Sequence, residues 1–146
     1  MIYIGADHRG YELKQKLKQW LDELGYELED LGAFEYNKDD DYPGFSKAVA
    51  EKVAIGADNK GILICGSGIG MAIAANKIKG IRAGTAASAK QAKASVNDED
   101  LNVLGISADY TNEEMAKEIV KTFLETKFSG EERHVRRINK IEKAKN

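Results

Sequence analysis

The sequence predicts an α/β fold in which one parallel sheet is covered by helices on both of its faces. Short apolar runs alternate with helical patterns along all 146 residues. The strands are nearly continuous in apolar residues, as in GILIC at 61–65, which is typical of strands buried on both faces. The length is that of one ordinary domain, and we see no repeat or linker, so residues 1–146 are predicted to form a single domain.

Each element has its own local signal. The apolar run at 2–6 predicts the first strand, and 11–24 predicts a helix that Gly25 ends, with an apolar stripe of Leu13, Leu17, Leu21 and Leu24. Alternation at 26–31 indicates an edge strand. A polar loop at 33–44 ends near Pro43, and a helix is predicted at 45–55.

The second half of the chain repeats this alternation. Further strands are predicted at 61–65, 81–87 and 101–106, and further helices at 69–78 and 88–97. A capping box from Thr111 to Glu114 precedes a helix whose stripe contains Met115, Ile119 and Phe123. A charged helix is predicted at 131–145.

Composition excludes several classes of protein. The net charge of −2 gives no basic face for nucleic acid. No apolar run approaches the roughly 18 residues of a membrane span, and the N-terminus lacks the pattern of a signal peptide. The single cysteine cannot form an internal disulfide. We therefore expect a cytoplasmic protein that binds neither nucleic acid nor membrane.

The residues that follow the strands are the candidates for a site, because ligands bind beyond the carboxyl ends of parallel strands. The first strand is followed by Asp7 and His8. The third ends at Cys65 and continues into Gly66, Ser67, Gly68, Ile69 and Gly70, while Asp98 and Glu99 precede the fifth strand and Asp109 follows it. A glycine loop at a helix N-terminus exposes amides that stabilise a thiolate or an oxyanion. The alternative is a turn that only permits close packing, with Cys65 as an inert core residue.

Familiar motifs do not fit this loop. G-S-G-I-G is neither a dinucleotide fingerprint nor a Walker loop, and the sixth residue after the cysteine is Met71, not the arginine of a cysteine phosphatase. A phosphoacceptor domain would need an aspartate at the position of Cys65. No second cysteine or histidine cluster offers a metal site, so no metal or cofactor is expected.

A histidine and a pair of arginines outside the loop are further candidates for a site. His8 stands next to Asp7, whose carboxylate can orient the imidazole. Arg133 and Arg137 lie one helical turn apart and can together hold a phosphate. The alternative for the arginines is a solvated basic patch on a charged helix.

Five segments together resemble the ribose-5-phosphate isomerase B family, which includes the subunits of galactose-6-phosphate isomerase. They are GADHRGYELK at 5–14, DYPGFSKAVAEKVA at 41–54, GILICGSGIGMAIAANKIKGIRA at 61–83, NVLGI at 102–106 and RHVRR at 133–137. The resemblance implies a three-layer Rossmann-like fold with five parallel strands and no dinucleotide. It also implies a homodimer, with a dimer of dimers left open, whose sites draw on both chains and whose C-terminal helix, about 131–145, packs on the partner.

The resemblance further implies an aldose–ketose isomerisation of a phosphorylated sugar through an enediolate, with ribose 5-phosphate and ribulose 5-phosphate as the default pair. Cys65 would be the base, and Ser67 would stabilise the oxyanion with the loop backbone of Gly66, Gly68, Ile69 and Gly70. Asp7 and His8 would contact the sugar and its phosphate end, and Tyr42 would line the pocket. Arg133 and Arg137 would hold the phosphate, from the partner chain.

Two departures from the family pattern matter, one before and one after the fifth strand. Where relatives read HNDANVL, this chain reads DEDLNVL at 98–104, so Asp98 replaces the ring-opening histidine and Glu99 an asparagine. Asp109 replaces a phosphate-contacting arginine and adds repulsion. The protein could act on another sugar phosphate, such as a hexose 6-phosphate, pair with a homologous subunit, or only bind its ligand. Because Cys65 and Ser67 are intact, the first explanation is favoured.

Overall fold

A computed structural model describes residues 1–144 and confirms the predicted α/β fold. Within these residues the strands are β1 (Ile2–Ala6), β2 (Leu28–Asp30), β3 (Lys60–Cys65), β4 (Ala83–Thr85) and β5 (Val103–Ser107). The helices are α1 (Tyr11–Glu23), α2 (Tyr42–Ile55), α3 (Ile69–Ala75), α4 (Ala89–Glu99), α5 (Glu113–Glu125) and α6 (Glu132–Lys143).

The five strands form one parallel sheet in the order β2-β1-β3-β5-β4. The register pairs Ala6 with Ile64 and Cys65 with Ser107, so β1, β3 and β5 end side by side. From β1 the chain passes to β2 on one side and then returns to β3 on the other. This reversal opens a crevice at the carboxyl ends of the central strands, where open α/β sheets bind their ligands.

Two apolar cores flank the sheet because successive side chains of a strand point to opposite faces. In β3, Ile62 and Ile64 contribute to the core beneath α1, α4 and α5, whereas Leu63 contributes to the core beneath α2 and α3. All three side chains are fully buried. The near-continuous apolar run that predicted a covered strand therefore reflects burial on both faces.

The buried face of α1 differs at two positions from the predicted stripe of leucines. Leu24 lies beyond the last helical residue and is 52% exposed, while Lys14 is fully buried. The ammonium of Lys14 donates to Asp30 Oδ1 at 2.7 Å and to the Ala33 carbonyl beyond the end of β2. Burial lowers the pKa of Lys14, and the hydrogen bond and charge of Asp30 oppose that shift. A lysine replaces an apolar residue here because a carboxylate and a carbonyl satisfy its charge.

Other boundaries shift by a few residues. Helix α2 begins at Tyr42 instead of 45, since Pro43 is well placed in a first helical turn. The N-cap of α5 is Asn112, whose side chain accepts from the Met115 amide at 2.8 Å, and not Thr111. Met115, predicted in the α5 stripe, is 39% exposed.

Helix α4 extends to Glu99, so Asp98 and Glu99 lie in its last turn and not in a loop. Helix α6 packs on α4 of its own chain and buries His134 and Ile138. Residue 145, the last of the predicted C-terminal helix, lies outside the described residues. Across residues 1–144, no helix combines the length and apolar composition needed to cross a membrane.

Candidate active site

The candidate site is built around Cys65, the last residue of β3. Its side chain belongs to the core beneath α2 and α3, and the residue is 5% exposed. Its Sγ accepts a hydrogen bond of 3.2 Å from the Gly68 amide. A backbone N–H aimed at sulfur stabilises negative charge on it. The thiol thus stands at the boundary between the core and the loop, with a donor already in place.

The loop after β3 is held rigidly by its neighbours. The Gly66 carbonyl accepts from the Ser107 hydroxyl at 2.7 Å and from the Asp109 amide at 3.0 Å. The Gly68 carbonyl accepts from the Thr85 hydroxyl at 2.9 Å. Such double anchoring onto β4 and β5 fixes the positions of Cys65 and its loop before any ligand arrives.

Close packing explains why residue 68 is a glycine. Its φ is +77°, and a Cβ there would lie 2.8 Å from the Ile106 carbonyl carbon. The bare backbone thus permits close approach to β5, as the packing interpretation requires, and the Gly68 amide also donates to Cys65 Sγ. A second amide of the loop, that of Ile69, donates to Ser67 Oγ at 3.2 Å.

A cavity of about 290 Å³ opens beyond the carboxyl ends of β1 and β3. It brings together six of the predicted site residues with three that were not predicted as ligands: Asp7, Tyr42, Cys65, Gly66, Ser67 and Gly70, with Arg9, Asp109 and Tyr110. Tyr42 reaches the cavity from the first turn of α2. A Cβ on residue 70 would lie 2.6 Å from the Tyr42 ring, so Gly70 allows the tyrosine to close against the loop.

His8 is held by a different carboxylate from the one predicted. Its Nδ1 lies 2.8 Å from Asp40 Oδ1, which also accepts from the His8 amide at 3.1 Å. Asp7 instead accepts the amides of Arg9 and Gly10 at 3.0 and 3.1 Å and so fixes the turn after β1. The expectation that Asp7 orients the imidazole is therefore wrong, because its carboxylate is engaged with backbone amides.

The side chains of Asp7, His8 and Asp40 also form a candidate metal site. Ligand atoms of Asp7, His8 and Asp40 lie within 4.8 Å of one another. Hydrogen bonds account for the arrangement, since one oxygen of Asp7 caps the turn and one oxygen of Asp40 holds the imidazole. Asp40 Oδ2 is buried and has no hydrogen-bond partner among residues 1–144. One buried carboxylate oxygen without a hydrogen-bond partner can accept a further polar contact, but it does not define the coordination shell of a metal.

Four other predicted residues lie elsewhere in the chain, around the contact of α4 with α6. Asp98 Oδ1 is 3.7 Å from His134 Nε2, and Glu99 borders a separate cavity of about 600 Å³ together with Arg82. On α6, Arg133 pairs with Glu131 at 2.8 Å and Arg137 is exposed. None of these four predicted ligands lines the Cys65 cavity within the described chain.

Arg9 is a residue that the sequence reasoning missed. Its guanidinium donates from Nη2 to Asp109 Oδ2, across the carboxyl ends of three strands. A Cβ on residue 66 would lie 2.6 Å from Arg9 Cζ, so the guanidinium lies directly over the loop. Its position in the sequence could have indicated it, because Arg9 lies as close to the end of β1 as several of the chosen loop residues lie to the end of β3.

Comparisons with known proteins agree with this architecture. A family model described as Ribose/Galactose Isomerase matches residues 2–141, and the chain therefore belongs to that family. One relative is the ribose-5-phosphate isomerase B of Mycobacterium tuberculosis, 40% identical over 138 residues that cover 94% of this chain and 85% of the relative.

Two solved structures illustrate the likeness in three dimensions. Ribose-5-phosphate isomerase B of Clostridium thermocellum is 41% identical, with a TM-score of 0.93 over 98% of this chain and 95% of that one. The Mycoplasma genitalium enzyme, solved with bound ribulose-5-phosphate, is 39% identical, with a TM-score of 0.94 over 98% and 94%. The family resemblance drawn from the sequence motifs is thereby confirmed.

Proposed function

We propose that this protein is an aldose–ketose isomerase of a phosphorylated sugar that needs no cofactor, with ribose 5-phosphate and ribulose 5-phosphate as its default pair. The observation that carries the proposal is the Cys65 thiol, which borders a cavity at the carboxyl edge of the sheet beside an anchored glycine loop. Relatives about 40% identical along nearly the whole chain are named for this activity.

The chemistry requires one base that can remove a proton and return it. In the open-chain aldose, the Cys65 thiolate takes the proton from C2, and the C–H electrons form the C1–C2 double bond of an enediolate. The thiol then returns the proton to C1, and the hydroxyl proton on O2 moves to O1. Atoms and charge balance within the sugar, so the reaction needs no oxidant or reductant.

The enediolate carries negative charge on oxygen, and donors placed in advance lower the free energy of that state. Ser67 borders the same cavity as Cys65 and supplies a hydroxyl. Its Oγ already accepts from the Ile69 amide, which leaves the hydroxyl proton free to donate to substrate. Tyr42 packs against the loop from α2 and lines the same cavity.

Asp98, Arg133 and Arg137 fit this function only if a second copy of the chain presents them. Within one chain they gather at α4 and α6, away from the Cys65 cavity. We therefore propose a homodimer in which α6 of one protomer approaches the cavity of the other. The two arginines project from one face of α6 and are exposed, as ligands of a partner's phosphate must be. Apolar surface for such a contact is present on α3, where Ile69 and Ile73 are 56% and 58% exposed.

The identity of the sugar is the open part of the proposal. The family pattern places a histidine at 98 and an arginine at 109, and this chain has an aspartate at both positions. Because these two positions are the ones that the family pattern uses for the sugar ring and the phosphate, another sugar phosphate, such as a hexose 6-phosphate, is the second candidate.

The test is a coupled isomerisation assay over a panel of pentose and hexose phosphates. We expect turnover of at least one, and Cys65→Ala should lower kcat by about 10² to 10⁴ fold, the usual contribution of a general base. Cys65→Ser keeps the size of the side chain and separates the loss of the thiol from a packing defect. Full activity in Cys65→Ala would show that the base lies elsewhere. Ligand binding without any turnover would favour a non-catalytic subunit.

A further inference from the structure

Arg9 is the one cationic side chain among the described residues that line the Cys65 cavity. The same lining carries two carboxylates, Asp7 and Asp109. A phosphate that enters this cavity meets unfavourable charge unless a cation faces it. Within its own chain the cavity lining supplies only Arg9 for that purpose, in addition to the two arginines that α6 of a partner would present.

The arginine is held at both ends although its side chain is 55% exposed. Its amide donates to Asp7 Oδ1 at 3.0 Å, which fixes the backbone at the end of β1. Its guanidinium lies over Gly66, where a Cβ would clash with Cζ, Nε and Nη1. Long side chains lose much rotamer freedom when they bind a ligand, and a side chain already held in place loses less.

The guanidinium retains free donors. It carries five N–H groups, and Nη2 donates to Asp109 Oδ2. Neither Nε nor Nη1 makes a hydrogen bond to another residue of the described range 1–144. Arginine can bind a carboxylate with one edge and a phosphate with another, because its donors are fixed in a planar fork.

We propose that Arg9 binds the phosphate of the substrate, and that Asp109 is a positioning residue that holds the guanidinium over the loop. This inference rests on the proposed function for the identity of the anion. It also removes a difficulty raised by the sequence, since the carboxylate of Asp109 is paired with Arg9 and does not face the phosphate alone. The ion pair of Arg9 and Asp109, which joins the segments after β1 and β5, thus sets the arrangement of charges in this cavity.

The first measurement is binding, which does not depend on turnover. Titration calorimetry with ribose 5-phosphate and with inorganic phosphate should show affinities at least about tenfold weaker in Arg9→Gln than in the wild type. Arg9→Lys should be intermediate, because it keeps the charge and loses the fork. Binding of unphosphorylated ribose should change little in either variant.

A matched control is available on the surface. Lys16 pairs with Glu113 at 3.7 Å with exposures of 57% and 40%, close to the 55% and 34% of Arg9 and Asp109. Lys16→Gln removes a cation of similar exposure outside the cavity and should leave phosphate affinity unchanged. Thermal unfolding of each variant checks that the fold is intact, and Arg9→Lys serves if Arg9→Gln is unfolded.

The outcomes separate this inference from the proposed function. If Arg9→Gln binds both phosphate ligands as tightly as Lys16→Gln does, the inference is wrong, whatever the turnover. If the wild type binds sugar phosphates through Arg9 but converts none of them, the inference stands and the isomerase proposal fails. If the wild type binds neither phosphate nor any sugar phosphate, both are wrong.

Discussion

The imidazole of His8 is held by Asp40, whose Oδ1 lies 2.8 Å from His8 Nδ1 although the two residues are 32 positions apart in the sequence. The same oxygen accepts the His8 amide, so side chain and backbone are tied to one carboxylate. Because Asp40 occupies Nδ1, the other ring nitrogen, Nε2, is the one left to act on a ligand. The loop before α2 therefore fixes the side chain that follows β1.

Removal of the Asp40 charge tests this relationship. In Asp40→Asn, the imidazole loses its carboxylate partner while the volume of the side chain is kept, and we expect kcat/KM to fall by about tenfold or more. Steady-state kinetics with the preferred sugar phosphate provide the measurement. Asp39→Asn is the control, since Asp39 is the exposed neighbour of the same type. Equal kinetics in the two variants would mean that the Asp40 carboxylate does not support any action of His8 on the substrate.

The proposed sharing of sites between protomers makes a prediction about mixed dimers. Cys65→Ala and Arg137→Ala should each be nearly inactive as homodimers. When the two variants are refolded together, half of the dimers are mixed and each of these has one intact site, so about a quarter of the wild-type activity should return. If each site lies within one chain, the mixture stays as inactive as its components. Light scattering on the mixture confirms the oligomeric state.

The buried ion pair of Lys14 and Asp30 predicts a pH dependence of stability. Burial by itself raises the pKa of Asp30, but hydrogen bonds from Lys14 and Lys18 outweigh it and hold the pKa below the ordinary 3.8. A depressed carboxyl pKa means that the folded state releases its proton more readily than the unfolded state. The stabilisation is therefore complete above about pH 4 and is lost as the pH falls through the folded-state pKa.

Urea unfolding of Asp30→Asn measures that contribution. At pH 7 the variant leaves the fully buried Lys14 without an anionic partner, and we expect the free energy of unfolding to fall by about 3–5 kcal/mol. At pH 3 the difference from the wild type should shrink, because the pH is then below the ordinary carboxyl pKa of 3.8 and protonation of Asp30 stabilises the unfolded state. Asp22→Asn, on the exposed face of α1, should have little effect at either pH. A loss for Asp30→Asn no larger than that of the control would contradict the assignment.

Two glycines with similar positive φ angles allow the cost of backbone strain to be measured apart from the cost of a steric clash. Gly25 has a φ of +85°, and a Cβ there would meet nothing within 4 Å, whereas at Gly68, with φ +77°, a Cβ would lie 2.8 Å from backbone. Gly25→Ala should cost about 1 kcal/mol, the strain of the left-handed conformation alone. Gly68→Ala should cost clearly more and should also lower activity, because the loop that carries Cys65 must move. Chemical denaturation and the coupled assay provide both readouts.

Much of this fold could be predicted from local signals. The apolar run at 61–65 indicated a strand buried on both faces, and the alternation of strands and helices indicated one covered parallel sheet, both of which the structure confirms. The glycines after Cys65 marked the turn into α3 at the correct residue. Such features depend on the spacing of residue types over a few positions, so they can be recognised directly in the sequence.

The sequence by itself determined the fold class, the family and the loop that carries Cys65. Only the tertiary structure decided which polar side chains meet: Asp40 with His8, Lys14 with Asp30, and Arg9 with Asp109, a pair separated by 100 residues in the chain. It also showed that Asp98, Arg133 and Arg137 gather away from the cavity of their own chain. The physical reason is that a contact between polar side chains forms wherever folding places its partners, and its sequence separation carries no periodicity that a local pattern could reveal.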